Sequence, residues 1–232
     1  MLFDLGRRQK LPDWALPYIE APRPNDQLSW RKLSFSVIDI ETSGLNARRD
    51  VPISLGLVDI EKGRIQLDQS WYTLIRPAAH VVLNAESIRV HGLLREELEQ
   101  APTVEEVFPQ LLERLAGRVL VVHMAAIDVQ FLSRMLKQHW GFKLRGPALD
   151  TSRLAGMLHY HDRLIQSSNG EAPTRTTLTS LAQDAGLPVY TSHHALGDAL
   201  TTAQLFLVQA TRLERRGIDS LRKLLRAGGC LP

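Results

Sequence analysis

Three apolar runs of strand length, the last two joined by a short turn, restrict what this chain can fold into. The first run extends from Phe35 to Ile40, and the next two cover residues 53–60 and 65–75. The turn Lys62-Gly63 separates the second run from the third. Apolar runs joined by so short a turn are typical of antiparallel hairpins. The sequence therefore predicts a sheet that opens with antiparallel strands.

Helical patterns dominate the remainder of the chain. A capping box at residues 103–106 precedes an apolar stripe, which predicts a helix, and the apolar run 119–122 predicts a further strand with a helix after it. More helical periodicity is found at residues 151–158, 177–186 and 196–215. This order predicts an α/β protein in which one mixed sheet is covered by helices on both faces.

Two stretches depart from this pattern. Residues 1–32 contain four prolines that interrupt regular structure, so we expect an extension that lies over the domain surface or is partly disordered. Its aromatic residues, Trp14, Tyr18 and Trp30, are expected to pack on that surface. Residues 159–176 predict a loop. The chain is thus divided into an N-terminal extension (1–32), a main domain (33–215) and a short basic C-terminal segment (216–232).

The composition excludes several classes of protein. The chain is 44% hydrophobic and 23% charged, as in an ordinary globular protein. A single cysteine, Cys230, excludes an internal disulfide framework and a cysteine-rich zinc site, and fits a reducing compartment. No apolar run has the length of a membrane span, and residues 1–10 lack the apolar core of a secretory signal. We therefore expect a cytoplasmic protein with no membrane partner.

Positive charge is concentrated near the C-terminus. The net charge is +3, whereas residues 211–232 alone carry six basic and two acidic side chains. A solvated helix face and a surface that contacts phosphates explain this excess equally well.

Two acidic residues, Asp39 and Glu41, end the first apolar strand. Residues two apart in a strand lie on the same face, so both carboxylates project together. Adjacent like charges near a core raise each other's pKa or require a cation between them, and oxygen ligands suit a hard divalent ion. A solvent-exposed strand end is the simpler explanation for an isolated pair of this kind.

Two more acidic residues, Asp128 and Asp198, stand in the first turns of predicted helices. Each could simply favour the helix dipole. Asp128, however, shares the inward face of its helix with Leu132, and Asp198 follows His193 by five residues. Neither residue is specific by itself.

Taken in this order, the segments that contain these acidic residues and His193 closely resemble the DEDD exonuclease superfamily in its histidine subclass. This subclass contains DnaQ-like proofreading exonucleases and RNase T relatives. The resemblance rests on residues 36–45 (SVIDIETSGL), 122–128 (VHMAAID) and 193–198 (HHALGD), supported by 88–93 (IRVHGL) and Asp150-Thr151. It extends over residues 33–210. It implies an RNase H-like fold with a mixed five-stranded sheet flanked by helices.

The resemblance also implies a mechanism. Two Mg²⁺ or Mn²⁺ ions would be held by four carboxylates, those of Asp39, Glu41, Asp128 and Asp198. His193 would be the general base, because the spacing before Asp198 selects it over His194. Substrate contacts are expected from Thr42, Leu45, His91 and Ile127. The family usually has Asn at Met124 and Phe at Ile127, so these departures concern how the terminal nucleotide is held.

The activity implied is removal of nucleoside 5′-monophosphates from the 3′ end of a single strand, with DNA as the expected strand. An RNA-trimming enzyme of the same superfamily and a non-cleaving module that binds a polymerase or nucleic acid are the alternatives. The resemblance also implies that replicative relatives carry a long C-terminal tail that docks onto the polymerase, whereas 34 residues follow Asp198 here. We therefore expect a free-standing enzyme without a dedicated polymerase subunit. The sequence leaves the oligomeric state open.

Overall fold

One six-stranded sheet organises the protein in the computed structural model, which describes residues 11–166, 177–190 and 193–230. Its strands are β1 (Ser34–Thr42), β2 (Pro52–Glu61), β3 (Arg64–Leu74), β4 (Val119–Val122), β5 (Ala148–Asp150) and β6 (Gly229–Cys230). They lie in the order β3-β2-β1-β4-β5-β6. Strand β2 is antiparallel to both of its neighbours, β1 and β3, while β4 and β5 run parallel to β1, and β6 is antiparallel to β5. The predicted mixed α/β sheet is confirmed.

Helices cover both faces of the sheet. They are α1 (Leu16–Glu20), α2 (Ala85–His91), α3 (Arg95–Glu99), α4 (Val104–Leu115), α5 (Ala125–Trp140), α6 (Thr151–Gln166), α7 (Leu178–Asp184), α8 (Ala195–Glu214) and α9 (Leu221–Gly228). Short 3-10 turns occur at Asp13–Ala15 and Trp30–Lys32. No helix in the described ranges is long and apolar enough to cross a membrane.

Alternation along β1 divides the core into two parts. Ile38 and Ile40 pack in a cluster with residues of α4 and α5, whereas Phe35 and Val37 pack with α6, α8 and α9. Phe35 meets Phe206 of α8 with ring centroids 4.9 Å apart. The face of β1 that carries Phe35 and Val37 also carries Asp39 and Glu41 further along the strand. This face therefore lies against α8, the helix that carries Asp198.

A close approach at Gly56 brings α8 onto the sheet. Gly56 pairs with Asp39 across β1 and β2, and a Cβ built on it would lie 2.3 Å from backbone atoms of Ala195 and Leu196. No side chain fits at that distance, so glycine is required for the first turn of α8 to rest against β2. This contact places the start of α8 beside the end of β1.

Three predictions about the chain path were wrong. The sheet has six strands instead of five, because β6 is two residues long and pairs with β5 at the far edge. The predicted loop at 159–176 is helical up to Gln166, and residues 167–176 lie outside the described ranges. Prolines do not prevent structure at 13–20, since Pro17 occupies the first turn of α1, where its missing N–H is not needed.

The aromatic residues of the described part of the N-terminal extension pack on the domain. Trp14 contacts Trp140 edge-on at 5.0 Å, and the Tyr18 hydroxyl donates a hydrogen bond to the Arg145 carbonyl at 2.7 Å. Trp30 is 1% exposed. Residues 11–32 are therefore part of the same folded body, while residues 1–10 lie outside the described ranges.

The C-terminal segment is fastened to the rest of the chain. Leu221 and Leu224 of α9 are buried in the core, and the N–H of Leu221 donates to the Leu28 carbonyl at 3.1 Å. Arg222 forms an ion pair with Asp26 at 2.9 Å, and Lys223 forms one with Asp219 at 2.9 Å. Two of the three basic side chains of α9 are thus paired within the protein, which favours a structural role for them over phosphate contact.

Candidate active site

Three predicted site residues meet at the carboxyl end of β1. Ligand atoms of Glu41, His193 and Asp198 all lie within 4.8 Å of one another. Glu41 ends the first strand, Asp198 is in the first turn of α8, and His193 immediately precedes that helix. The contact of α8 with Gly56 brings these distant parts of the sequence together.

A half-buried carboxylate, Asp39, and a buried one, Asp128, complete the cluster. Asp39 lies on the same face of β1 as Glu41, as the alternation predicts. Asp128, 3% exposed, reaches the strand from α5, and its Oδ1 accepts the N–H of Ile40 at 3.2 Å. Four carboxylates from one strand and two helices therefore converge.

A fifth acidic residue, Asp150, fixes the start of α5. Its carboxylate accepts the backbone N–H groups of Met124 at 3.1 Å and Ala125 at 3.0 Å, and also the N–H and hydroxyl of Ser152. Met124 holds a left-handed backbone with φ of 61°. The motif Asp150-Thr151 was part of the sequence pattern, but its role as an anchor for the helix that carries Asp128 follows from these bonds.

The carboxyl groups raise one another's pKa. Burial raises the pKa of Asp39 well above its usual range, and the charges of Asp128, Glu41 and Asp198 add to it. Burial and Asp198 raise the pKa of Glu41 to about 7, and burial is the main cause that raises the pKa of Asp128 to about 8. Burial also raises the pKa of Asp198, against the effect of the His193 N–H. The cluster therefore favours a cation or protons.

The adjacent histidines point to different environments. The N–H of His193 donates to Oδ2 of Asp198 at 2.8 Å, and the residue has a left-handed φ of 64°. The ring of His194 instead stacks on Tyr72 of β3, with centroids 4.5 Å apart and planes 24° from parallel. His193 thus belongs to the acidic cluster, while His194 ties the entry of α8 to the edge strand.

The predicted substrate contacts line the same cleft as the cluster. This cleft has a volume of about 1140 Å³ and contains Thr42, Leu45, His91 and Ile127 in its wall. Leu45 is 79% exposed, an unusual position for a large apolar side chain. Burial and the nearby His193 lower the pKa of His91, which favours its neutral form. All the predicted site residues are thus brought together.

Sequence reasoning missed several residues that shape the cleft. Gly56 and Tyr72 set the position of α8, and Arg48, Asn84 and Gln130 also line the cleft wall. A glycine inside a strand pattern is a signal of close backbone approach and could have identified Gly56. The other residues lie in polar or mixed stretches, where no regular spacing of apolar residues identifies them.

Comparison with known proteins places most of this chain in one family. Residues 36–206 match the RNase T family, which is described as exonuclease. A DNA polymerase III of the PolC type from Thermotoga petrophila is 32% identical over 84% of this chain and 13% of its own length. A DNA polymerase III subunit epsilon from Aquifex aeolicus is 29% identical over 75% of this chain and 79% of that protein.

The fold also matches a solved nuclease. The nuclease domain of 3′hExo, a DEDDh family member bound to rAMP, superposes with a TM-score of 0.64 at 13% identity, covering 83% of this chain and 97% of that domain. Such low identity supports the fold alone. This chain spans about an eighth of the PolC-type relatives, since 13% of the Thermotoga petrophila protein is matched.

Proposed function

Because this chain belongs to the RNase T exonuclease family, we propose that it is a metal-dependent 3′→5′ exonuclease that acts on single strands, with DNA preferred. The observation that carries the proposal is the convergence of Asp39, Glu41, Asp128 and Asp198 with His193 in one cleft. The product would be a nucleoside 5′-monophosphate.

The cluster fits divalent metal ions. Its donors are carboxylate oxygens, which Mg²⁺ and Mn²⁺ prefer, and burial together with the neighbouring carboxylates raises the pKa values of Asp39, Glu41 and Asp128, so that their charged forms favour a bound cation. Asp39, Glu41, Asp128 and Asp198 would hold two such ions. When bound, the ions supply charge neutralisation at the phosphate and a more acidic attacking water.

His193 would accept the proton from the attacking water. An imidazole can do this near neutral pH, and the ring lies with the ligand atoms of Glu41 and Asp198. The hydrogen bond from its N–H to Asp198 and its left-handed backbone hold the residue at the entrance of α8. This backbone hydrogen bond keeps the residue beside one of the carboxylates.

The terminal nucleotide would lie against Thr42, Leu45, His91 and Ile127. Leu45 offers an exposed apolar side chain to the base, and Ile127 offers a half-buried one where the family usually has Phe. The Thr42 hydroxyl already donates to the Gly44 carbonyl at 2.8 Å, which holds the loop after β1 in place. Aliphatic contacts of this kind discriminate weakly among bases.

The choice of DNA rests on the relatives. Two of them are named as DNA polymerase III proteins. RNA is the second candidate, because the solved nuclease domain with the same fold was bound to rAMP. A non-cleaving module is disfavoured, since four crowded carboxylates destabilise a protein that has no cation to bind.

Two further predictions concern the cellular setting. The absence of a dedicated polymerase subunit stays a prediction. Stoichiometric co-elution with the replicative polymerase subunit of the same cell would overturn this prediction. A cytoplasmic location stays a prediction that rests on the single cysteine.

The test uses end-labelled single strands of DNA and RNA with Mg²⁺ or Mn²⁺. We expect mononucleotides from a free 3′ end, no products from a blocked 3′ end, and no effect of a blocked 5′ end. Cleavage of circular strands would identify an endonuclease, and full activity in excess chelator would exclude metal dependence. Faster digestion of RNA than DNA would reverse the substrate preference.

A further inference from the structure

A second cavity, of about 1040 Å³, lies along α5 beside the active cleft. We call it the α5 groove. One wall is the outer face of α5, including Gln130, Ser133 and Lys137, and the other is formed by the segment around β5, the end of α9 and β6. Its floor is apolar and contains Ala125, Val129, Pro147, Leu225 and Cys230.

The charge of the α5 groove has one sign. Its lining contains five basic side chains and no acidic one among the described residues, namely Arg48, Arg134, Lys137, Lys143 and Arg153. Arg134 and Arg153 donate to the carbonyls of Asp50 and Gly229. Arg48, Lys137 and Lys143 are exposed and form no ion pair in the described part of the chain. Positive charge is thus left available to an outside partner.

The α5 groove is continuous with the active cleft. Ala47, Arg48 and Gln130 line both cavities. Helix α5 carries Asp128 at the cleft end and Lys137 in the groove, and at 1.5 Å per residue these positions are roughly 13 Å apart along the helix axis. A chain whose end lies in the cleft can therefore continue into the groove past shared residues that carry no negative charge.

We propose that the α5 groove binds the phosphodiester backbone of the strand on the 5′ side of the terminal nucleotide, an inference that rests on the proposed exonuclease function. The exposed cations at the rim of the groove suit binding of the phosphates. The apolar floor suits contact with the sugars or with the faces of the bases. Gln130 and Ser133 are the neutral polar side chains of the described lining, so few groups can read base edges. Binding in the groove is independent of sequence and depends on strand length.

The test replaces two cations of the groove. The double variant Lys137→Glu, Lys143→Glu is compared with Lys32→Glu, Lys62→Glu, which changes the same charge at two exposed positions outside both cavities. The Lys137→Arg, Lys143→Arg variant keeps the charge and guards against a folding defect. The probe is a fluorescein-labelled dT20 strand, whose binding is followed by anisotropy in chelator so that hydrolysis does not interfere.

We expect the groove variant to bind dT20 about tenfold more weakly, and the slope of log affinity against log salt to flatten by roughly 0.7 for each lost phosphate contact. The control and the arginine variant are expected to bind like the unmodified protein. Equal binding by the groove variant and the control would overturn the proposal, as would a loss in the arginine variant as large as that in the glutamate variant.

A second readout separates the groove from the chemistry. With Mg²⁺ or Mn²⁺, turnover of dT20 is compared with turnover of the p-nitrophenyl ester of thymidine 5′-monophosphate, which fills the cleft alone. The ratio of strand to ester turnover is expected to fall about tenfold in the groove variant. A parallel fall on both substrates would contradict the proposal. If the unmodified protein hydrolyses neither substrate, the proposed function fails, while the anisotropy still decides the groove.

Discussion

The acidic cluster of the cleft and the basic segment of the C-terminus are both dense in charge, yet they are built in opposite ways. In the cleft, the half-buried Asp39 and the buried Asp128 lie next to other carboxylates, and their pKa values are raised. In the C-terminal segment, Arg222 and Lys223 are exposed and paired with Asp26 and Asp219. Like charges that are held together against their repulsion indicate a site for a ligand. Opposite charges in pairs indicate instead that one segment of the chain is attached to another.

The largest expected effect is at Asp39. The isosteric change Asp39→Asn removes the carboxylate that faces the other three, so we expect hydrolysis to fall by about 10³-fold or more. In chelator the same variant is expected to melt at a higher temperature than the unmodified protein, because repulsion is relieved. Single-strand digestion and thermal melting measure the two effects. Unchanged turnover would remove the cluster from the mechanism.

The next effect separates the two histidines. His193→Ala is expected to lower the rate by roughly 10²–10⁴-fold through loss of the general base. His194→Ala removes the stack on Tyr72 and is expected to be far milder, within about tenfold, as an indirect effect on the entry of α8. Steady-state kinetics at saturating metal make the comparison. A larger defect at His194 would show that the base has been assigned to the wrong histidine.

The third prediction concerns pH and stability in the absence of metal. The folded-state pKa values of Glu41 and Asp128 are raised to about 7 and about 8, so the fold prefers their protonated forms. This stabilisation is complete below the ordinary carboxyl pKa near 4 and is lost as pH rises through the folded values. We therefore expect the melting temperature in chelator to fall between about pH 4 and pH 8 by several degrees relative to Asp128→Asn.

Addition of Mg²⁺ supplies the control for that experiment. An ion bound to the carboxylates stabilises the folded state and favours their charged forms, so the pH dependence is expected to weaken and the melting temperature to rise. Identical pH profiles for the unmodified protein and Asp128→Asn in chelator would show that the cluster does not carry the dependence.

The smallest effect is expected at the paired charges of the C-terminus. Arg222→Ala removes an exposed ion pair with Asp26, and such pairs contribute little, so we expect the melting temperature to change by roughly 2 °C at most. Asp26→Ala and the double variant complete a cycle that isolates the pair. Digestion of single strands is expected to be unaffected. A large loss of strand binding would return this segment to the status of a phosphate-contacting surface.

Much of the site was predictable because its acidic residues stand next to apolar stretches of the sequence. Asp39 and Glu41 are acidic at the end of an apolar strand, and the ordered motifs around them resembled the DEDD superfamily, a resemblance that the match over residues 36–206 confirms. Strands β1 and β4 also follow the predicted runs closely, because buried strands leave long apolar signals. The roles assigned to individual residues stay predictions.

The missed features lack such a signal. Strands β5 and β6 have three and two residues, which is too short for any period to show. The second half of α6 begins with the polar run His159–Asp162, so its sequence resembles a loop although the helix continues to Gln166. The α5 groove joins Arg48, Lys137 and Lys143 from three separate segments, and proximity of that kind depends on tertiary packing.

The contact between residues 26–30 and 219–222 has a consequence for the order of folding. The N–H of Trp30 donates to the Asp219 carbonyl at 3.0 Å, and the pair formed by Arg222 and Asp26 joins residues 196 positions apart in sequence. Contacts across such a separation require closure of a very long loop, whose entropy must be overcome before the contact forms. We therefore expect this contact between the N-terminal and C-terminal parts of the chain to form late, after the central strands. We also expect it to open first when the native protein fluctuates. Amide hydrogen exchange is expected to be faster at Trp30 and Leu221 than in β1.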